Sequence, residues 1–148
     1  MWQSIIAILG TLAGVSVTAW FQQRGQRAER TATAAAAHRR DALDAVTDLV
    51  TALADHRRTM WLREDARLSG ADWAAFRADS HVTRAAITAP AVRVTVLLPG
   101  LAATVQAAAA ATYAMRNATD HDTLNTARED AITATDRLTH AAGGLLAA

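Results

Sequence analysis

In the segment LDAVTDLVTALADHRRTM, residues 43–60, the large apolar residues recur with the period of an α-helix. They stand at alternating three- and four-residue steps, with Arg57 in place of one of them: Leu43, Val46, Val50, Leu53 and Met60. Proline and glycine, which interrupt helices, do not occur between residues 26 and 68. The pattern therefore predicts one long amphipathic helix over that range.

Shorter helices are predicted after the long one. A second helix is expected to end near Thr88, because Pro90 forces the residue before it out of the helical region. Residues 92–98, between two prolines, are predicted to form a short helix. A further helix is predicted over residues 101–116.

The last predicted helix spans residues 123–142 and is expected to end at Gly143 and Gly144. It carries an apolar residue at every seventh position: Leu124, Ala131, Leu138 and Leu145. Alanine makes up about a quarter of the chain, and its small side chain lets helices approach closely. We therefore predict an all-α fold, with a single N-terminal transmembrane helix, a long helix and an antiparallel helical hairpin or four-helix bundle.

The N-terminal segment predicts a membrane anchor. Residues 1–23 carry no charged side chain, whereas residues 24–40 carry five arginines and one acid. A helix of 23 residues is long enough to cross a hydrocarbon core of about 30 Å. The arginine excess places residues 24–148 in the cytoplasm and the N-terminus outside, so the protein is expected in the inner (cytoplasmic) membrane. Residues 24–40 would form a basic juxtamembrane stalk.

Aromatic and basic residues mark the two ends of this predicted anchor. Trp2 and Trp20 are expected at the two membrane interfaces, and Arg24, Arg27 and Arg30 beside the lipid headgroups. A cleaved signal peptide is the alternative for the segment. It is disfavoured because the basic cluster follows the apolar run, whereas in a signal peptide it precedes the run.

Gly10 and Gly14 are four residues apart within the predicted anchor. This spacing is typical of transmembrane helices that pack closely, so it predicts a homo-oligomer. Glycine is also common in membrane helices that have no partner.

Two arginine-rich triplets, at residues 38–40 and 56–58, lie 18 residues apart, which is five helical turns and about 27 Å. They predict a cationic stripe on one helix face, whose four arginines are possible contacts for an anionic partner: Arg39, Arg40, Arg57 and Arg58. The alternatives are a solvated face paired with nearby aspartates, contact with lipid headgroups, and contact with nucleic acid.

The residues that carry enzyme chemistry are missing or wrongly spaced. The chain has no cysteine, which excludes disulfides, thiolate metal sites and cysteine nucleophiles. Its five histidines do not have the spacing of a metal site, and His121 lies in a predicted helix-capping turn. We therefore predict a protein that is not an enzyme and that has no catalytic residues, metal or cofactor.

Three stretches resemble a known family: MWQSIIAILGTLAGVSVTAWFQQR at residues 1–24, LVTALADHRRTMWLREDARLSGAD at residues 49–72 and ADSHVTRAAITAP at residues 78–90. They resemble the KilB-like membrane-anchored proteins of Streptomyces conjugative plasmids. The resemblance implies a role in the transfer and spread of plasmids, beside a DNA-pumping translocase. It implies no active site.

The leading prediction is a non-enzymatic single-pass membrane protein. Its cytoplasmic helical domain would assemble with itself or with plasmid-transfer proteins. A holin-like or pore-forming protein is the first alternative, because the chain is small and begins with a glycine-bearing apolar helix. A membrane-tethered DNA-binding module is the second alternative, and it rests on the four arginines of the stripe.

Overall fold

The computed structural model describes the backbone of residues 2–147 and the side chains of residue 27 and residues 29–147. All regular structure in these residues is helical, so the predicted all-α class is confirmed. The helices are α1 (Trp2–Leu68), α2 (Ala75–Ala86), α3 (Thr88–Leu97), α4 (Ala102–Tyr113) and α5 (His121–Ala147), with a 3₁₀ turn at Pro99–Leu101 between α3 and α4.

The chain divides into two compact units, Met1–His38 and Arg39–Ala148. In the first unit the described side chains, at residues 27 and 29–38, are all exposed. The predicted anchor, residues 1–23, lies outside the described side chains. Within the part of the chain that is described, no helix has both the length and the apolar character needed to cross a bilayer. The structure therefore lends the anchor no support, and it stays a prediction.

The second unit packs around a core that begins on α1. Ala42, Ala45, Leu49 and Leu53 are fully buried, whereas Leu43 is 55% exposed. The predicted apolar face of this helix was therefore partly wrong. The sequence pattern gave weight to the large side chain of Leu43, but the small alanines allow the neighbouring helices to come closest to α1.

Helices α4 and α5 pack as an antiparallel hairpin. Near one end, Val105 of α4 shares a buried cluster with Leu138 of α5. Near the other end, Met115 shares a second cluster with Leu124. Residue numbers thus rise along α4 as they fall along α5, which confirms the predicted hairpin. Both clusters also contain residues of α1, so the hairpin covers the core face of that helix.

The helix ends follow from local backbone chemistry. Helix α1 is followed by Gly70, whose φ of +74° is a conformation that glycine adopts without steric cost. Asp120 precedes α5, and its Oδ1 accepts a hydrogen bond from the Thr123 backbone N–H at 2.7 Å. This bond, with others to Thr123 and Thr119, lowers the pKa of Asp120. The predicted capping turn before α5 is therefore present.

Two other expectations concern the helices beside the hairpin. The short helix expected at residues 92–98 is present as part of α3. The predicted end of the last helix at Gly143 and Gly144 is wrong, because α5 continues to Ala147. Leu145, which follows the two glycines, lies beside Gly100 of the 3₁₀ turn. The last turn of α5 therefore packs against another part of the chain. Tertiary packing commonly outweighs the low helix propensity of glycine.

Candidate functional site

Several of the residues predicted to contact membrane or partner lie outside the described side chains: Trp2, Gly10, Gly14, Trp20 and Arg24. The structure does not bear on their predicted roles. Arg27 and Arg30 are described and exposed.

The four arginines of the predicted stripe do not have equal surroundings. Arg39, Arg40 and Arg58 are exposed, and Arg57 is half-buried. Arg57 and Arg58 line an open surface cavity of about 560 Å³ together with Trp61 and with Arg128 of α5. Sequence reasoning missed Arg128, which is 70 residues further along the chain than Arg58. Only the packing of α5 against α1 brings it to this place.

His56 lies away from the stripe, so its predicted place there was wrong. It is buried, and its Nδ1 is 2.9 Å from the Thr83 hydroxyl of α2. The ring of Tyr113 meets the imidazole edge-on, with the ring centroids 5.6 Å apart. Burial, and then the charges of Arg84 and Arg63, lower the pKa of His56 from 6.5 to about 4. The imidazole is therefore neutral at cellular pH.

About two turns further along α1, a buried ionic network holds the turn between α4 and α5 in place. Glu64 is fully buried, and its Oε2 accepts hydrogen bonds from Arg67 Nε at 2.7 Å and from the Asn117 backbone N–H at 3.2 Å. Arg67 also donates to the Ala118 carbonyl. The carboxylate therefore supports the turn between α4 and α5, in which Asn117 has a φ of +62°.

Arg63 is the second cation beside Glu64. It is only 8% exposed, and its Nε lies 3.8 Å from Glu64 Oε1. Neither of these two atoms has a hydrogen-bond partner among the described residues. The opposite end of the guanidinium reaches α2, where Nη1 donates to the Ser80 hydroxyl at 3.4 Å.

Arg63 also lines a small cavity where α1, α2 and the end of α4 meet, which we call the basic cavity. Its volume is about 20 Å³, and eight side chains line it: His56, Met60, Arg63, Ser80, His81, Arg84, Tyr113 and Arg116. Three arginines and two histidines thus line one space, and no Asp or Glu of the described residues lines it. The lining therefore offers hydrogen-bond donors and positive charge to a ligand. It offers no negatively charged acceptor, only neutral oxygens and rings.

Two of these arginines form cation–π contacts with aromatic rings. The Arg84 guanidinium carbon lies 3.8 Å from the centroid of the Tyr113 ring, and that of Arg63 lies 5.4 Å from the centroid of the Trp73 ring. Such cation–π contacts contribute about 0.5–2 kcal/mol each and restrict the side chain. No spacing pattern in the sequence indicates these pairs, because the paired residues lie 10 and 29 residues apart on different segments.

His121, at the capping turn, forms a surface contact and not part of the basic cavity. Its Nδ1 is 3.4 Å from Asp65 Oδ1 of α1, and both side chains are well exposed. Within the described residues, no group of three or more potential ligands that could hold a metal ion was found.

These features define a class of protein: an all-helical domain with an interior ionic network and with arginine-lined cavities at its surface. Comparison with known proteins then identifies the family. A family model described as KilB plasmid transfer protein matches residues 43–146. Protein KilB of Streptomyces lividans is 47% identical over 143 residues, which cover 94% of each chain. The chain belongs to the KilB plasmid transfer protein family. No solved structure matches it.

Proposed function

We propose that this protein is a non-enzymatic, single-pass component of the cytoplasmic membrane that serves plasmid transfer and spread. Its cytoplasmic helical domain assembles with itself or with other transfer proteins. One observation carries the proposal: the residues matched by the family model, 43–146, coincide with the second compact unit, Arg39–Ala148. The family's role in plasmid transfer is therefore assigned to the helical domain.

The anchor is supported by the sequence of residues 1–23, which are free of charge and are followed by an arginine excess. The segment also lies largely within the alignment with the Streptomyces lividans relative. Because the alignment covers 94% of this chain, it includes most of residues 1–23. The segment thus belongs to the part of the sequence that the two proteins have in common.

A role in assembly is supported by apolar side chains that the second unit leaves exposed on α2 and α3. Val82 is 68% exposed, Val92 58% and Val96 71%. Val92 and Val96 line an open apolar cavity of about 320 Å³ between α3 and α4. Clustered exposed apolar groups of this kind are typical of surfaces that contact another protein.

Crosslinking of the full chain in its native host during plasmid transfer tests the proposal. We expect the parent protein to be captured as a homo-oligomer or with a DNA translocase. Replacing both Gly10 and Gly14 with leucine should remove most of the homo-oligomer, since bulky side chains keep helix backbones apart. The matched control is Ala19→Leu, which helical periodicity places opposite Gly10.

Three results would contradict the account. Capture of the parent protein as a monomer alone would oppose the assembly role. Equal oligomer yields from the parent and the double glycine variant would oppose packing through Gly10 and Gly14. Ion leakage from cells on expression, without capture of any transfer protein, would favour the pore-forming alternative.

A further inference from the structure

We infer that the basic cavity binds a phosphoryl group, as inorganic phosphate or as the phosphomonoester of a lipid headgroup. This site goes beyond the proposed function and does not depend on it. Its ligands come from three segments: Arg63 of α1, Ser80, His81 and Arg84 of α2, and Arg116 after α4.

The charge around the cavity is unbalanced. Glu64 is the buried carboxylate near Arg63, and its Oε2 is already bound to Arg67 and to the Asn117 backbone. Neither Arg84 nor Arg116 forms an ion pair with any described residue. At least two cationic groups therefore lack a counter-charge, and a bound anion would supply one.

The donors are already held in position. Arg84 stacks on Tyr113, and Arg63 is fixed between the Trp73 ring and the Ser80 hydroxyl. Binding would thus order few additional side chains, which lowers the entropic cost of association. Guanidinium groups match phosphate oxygens with paired N–H donors, so three arginines favour an oxyanion over a halide.

The protein leaves the buried Arg63 guanidinium incompletely hydrogen-bonded. Arg63 is more than nine-tenths buried, and its Nε has no hydrogen-bond partner, although Glu64 Oε1 lies 3.8 Å away. Buried polar groups of this kind are normally satisfied by protein, water or ligand. The positive charge of the Arg63 guanidinium would attract an anion bound in the cavity.

The size of the cavity sets the class of ligand. A volume of about 20 Å³ exceeds the roughly 10–15 Å³ that one water molecule needs by this measure. It has room for one oxygen atom, so the other oxygens of a bound phosphoryl group would have to lie at the opening, and the lining residues Arg84, His81 and Arg116 are exposed there to meet them. A nucleobase or an acyl chain would not enter.

His56 lines the cavity, so its pKa should indicate whether an anion is bound there. Its neighbours there are Arg63, Arg84, His81 and Arg116, all of which are basic. Burial and the charges of Arg84 and Arg63 lower its pKa to about 4. A bound anion offsets those charges, so it should raise the pKa of His56.

The test uses the full chain in a maltoside detergent, which contributes no phosphate. The pKa of His56 is measured by NMR at constant ionic strength, with sodium chloride exchanged for inorganic phosphate. A second arm uses short-chain phosphatidic acid, with short-chain phosphatidylcholine as its control. We expect an upward shift of the His56 pKa that saturates with ligand concentration.

Substitution then locates the site. Arg84→Gln with Arg116→Gln should weaken the apparent affinity about tenfold or more, because each removes a charge-assisted hydrogen bond. Arg93→Gln with Arg137→Gln removes the same charge from exposed positions outside the cavity and should leave the affinity unchanged. Far-UV circular dichroism confirms that both double variants remain helical.

Each outcome decides between the alternatives. A shift with inorganic phosphate supports a site for free phosphate, and a shift with phosphatidic acid alone supports a lipid headgroup. The absence of a shift with either ligand would overturn the inference. Equal loss of affinity in the two double variants would also overturn it, because the effect would then reflect overall charge.

Discussion

Replacing Glu64 with alanine is expected to lower the free energy of unfolding by about 3–5 kcal/mol, the usual effect of breaking a buried ion pair. Glu64 is fully buried and accepts from Arg67 and from the Asn117 backbone. Its loss leaves Arg63, itself nearly buried, without a nearby counter-charge. It also leaves the turn between α4 and α5 without its acceptor. Urea unfolding of the full chain in detergent, followed by circular dichroism, measures the change.

Two further variants test whether the charge of the Glu64 side chain, and not only its size, stabilises the fold. Glu64→Gln keeps the size and one acceptor oxygen, so we expect the smaller loss of about 1–3 kcal/mol that follows from weakened buried hydrogen bonds. Glu129→Ala removes an exposed glutamate from α5 and should change the stability by no more than about 0.5 kcal/mol. If Glu64→Ala were as stable as Glu129→Ala, the ionic network would not support the fold.

Leu49→Ala is the second substitution with a large expected effect. Leu49 is fully buried on α1, within the cluster that joins this helix to α3, α4 and α5. Truncation of a core leucine removes apolar contact and leaves a cavity, so we expect a loss of about 2–5 kcal/mol. The measurement is the same urea unfolding experiment.

The helix itself provides the matched control. Leu43→Ala makes the same chemical change six residues earlier, at a side chain that is 55% exposed. It should cost less than about 1 kcal/mol, because little apolar surface leaves water at that position. Equal losses at the two positions, or a larger loss at Leu43, would mean that the other face of α1 packs against the core.

This contrast shows how far the sequence predicts the fold. The seven-residue repeat on α5 correctly marks Leu124, Ala131 and Leu138 as buried, but its fourth member, Leu145, is 49% exposed. On α1 the same reasoning placed Leu43 inside and His56 outside, and both placements were wrong. The positions of the large apolar residues do not identify the buried face of α1, because alanine and hydrogen-bonded polar residues also occupy the core on that face.

The candidate site was less predictable than the helices. His56, Arg63 and Glu64 are polar residues in a helical sequence, and such residues usually face solvent. Their burial depends on Thr83, Ser80 and Asn117, which other segments bring to them. No spacing in the sequence reveals these pairs. The basic cavity likewise exists only once α2 and the end of α4 lie against α1.

We propose that residues 1–23 anchor a cytoplasmic helical domain, and the absence of cysteine from the chain makes a direct test possible. Single cysteines are introduced by Gln3→Cys and, at an exposed position of α5, by Thr133→Cys. Protoplasts of the native host are then treated with a membrane-impermeant maleimide. We expect the cysteine at position 3 to react in intact protoplasts, and the cysteine at position 133 to react only after lysis. Reaction at position 133 in intact protoplasts, or protection of position 3 until lysis, would contradict the claim.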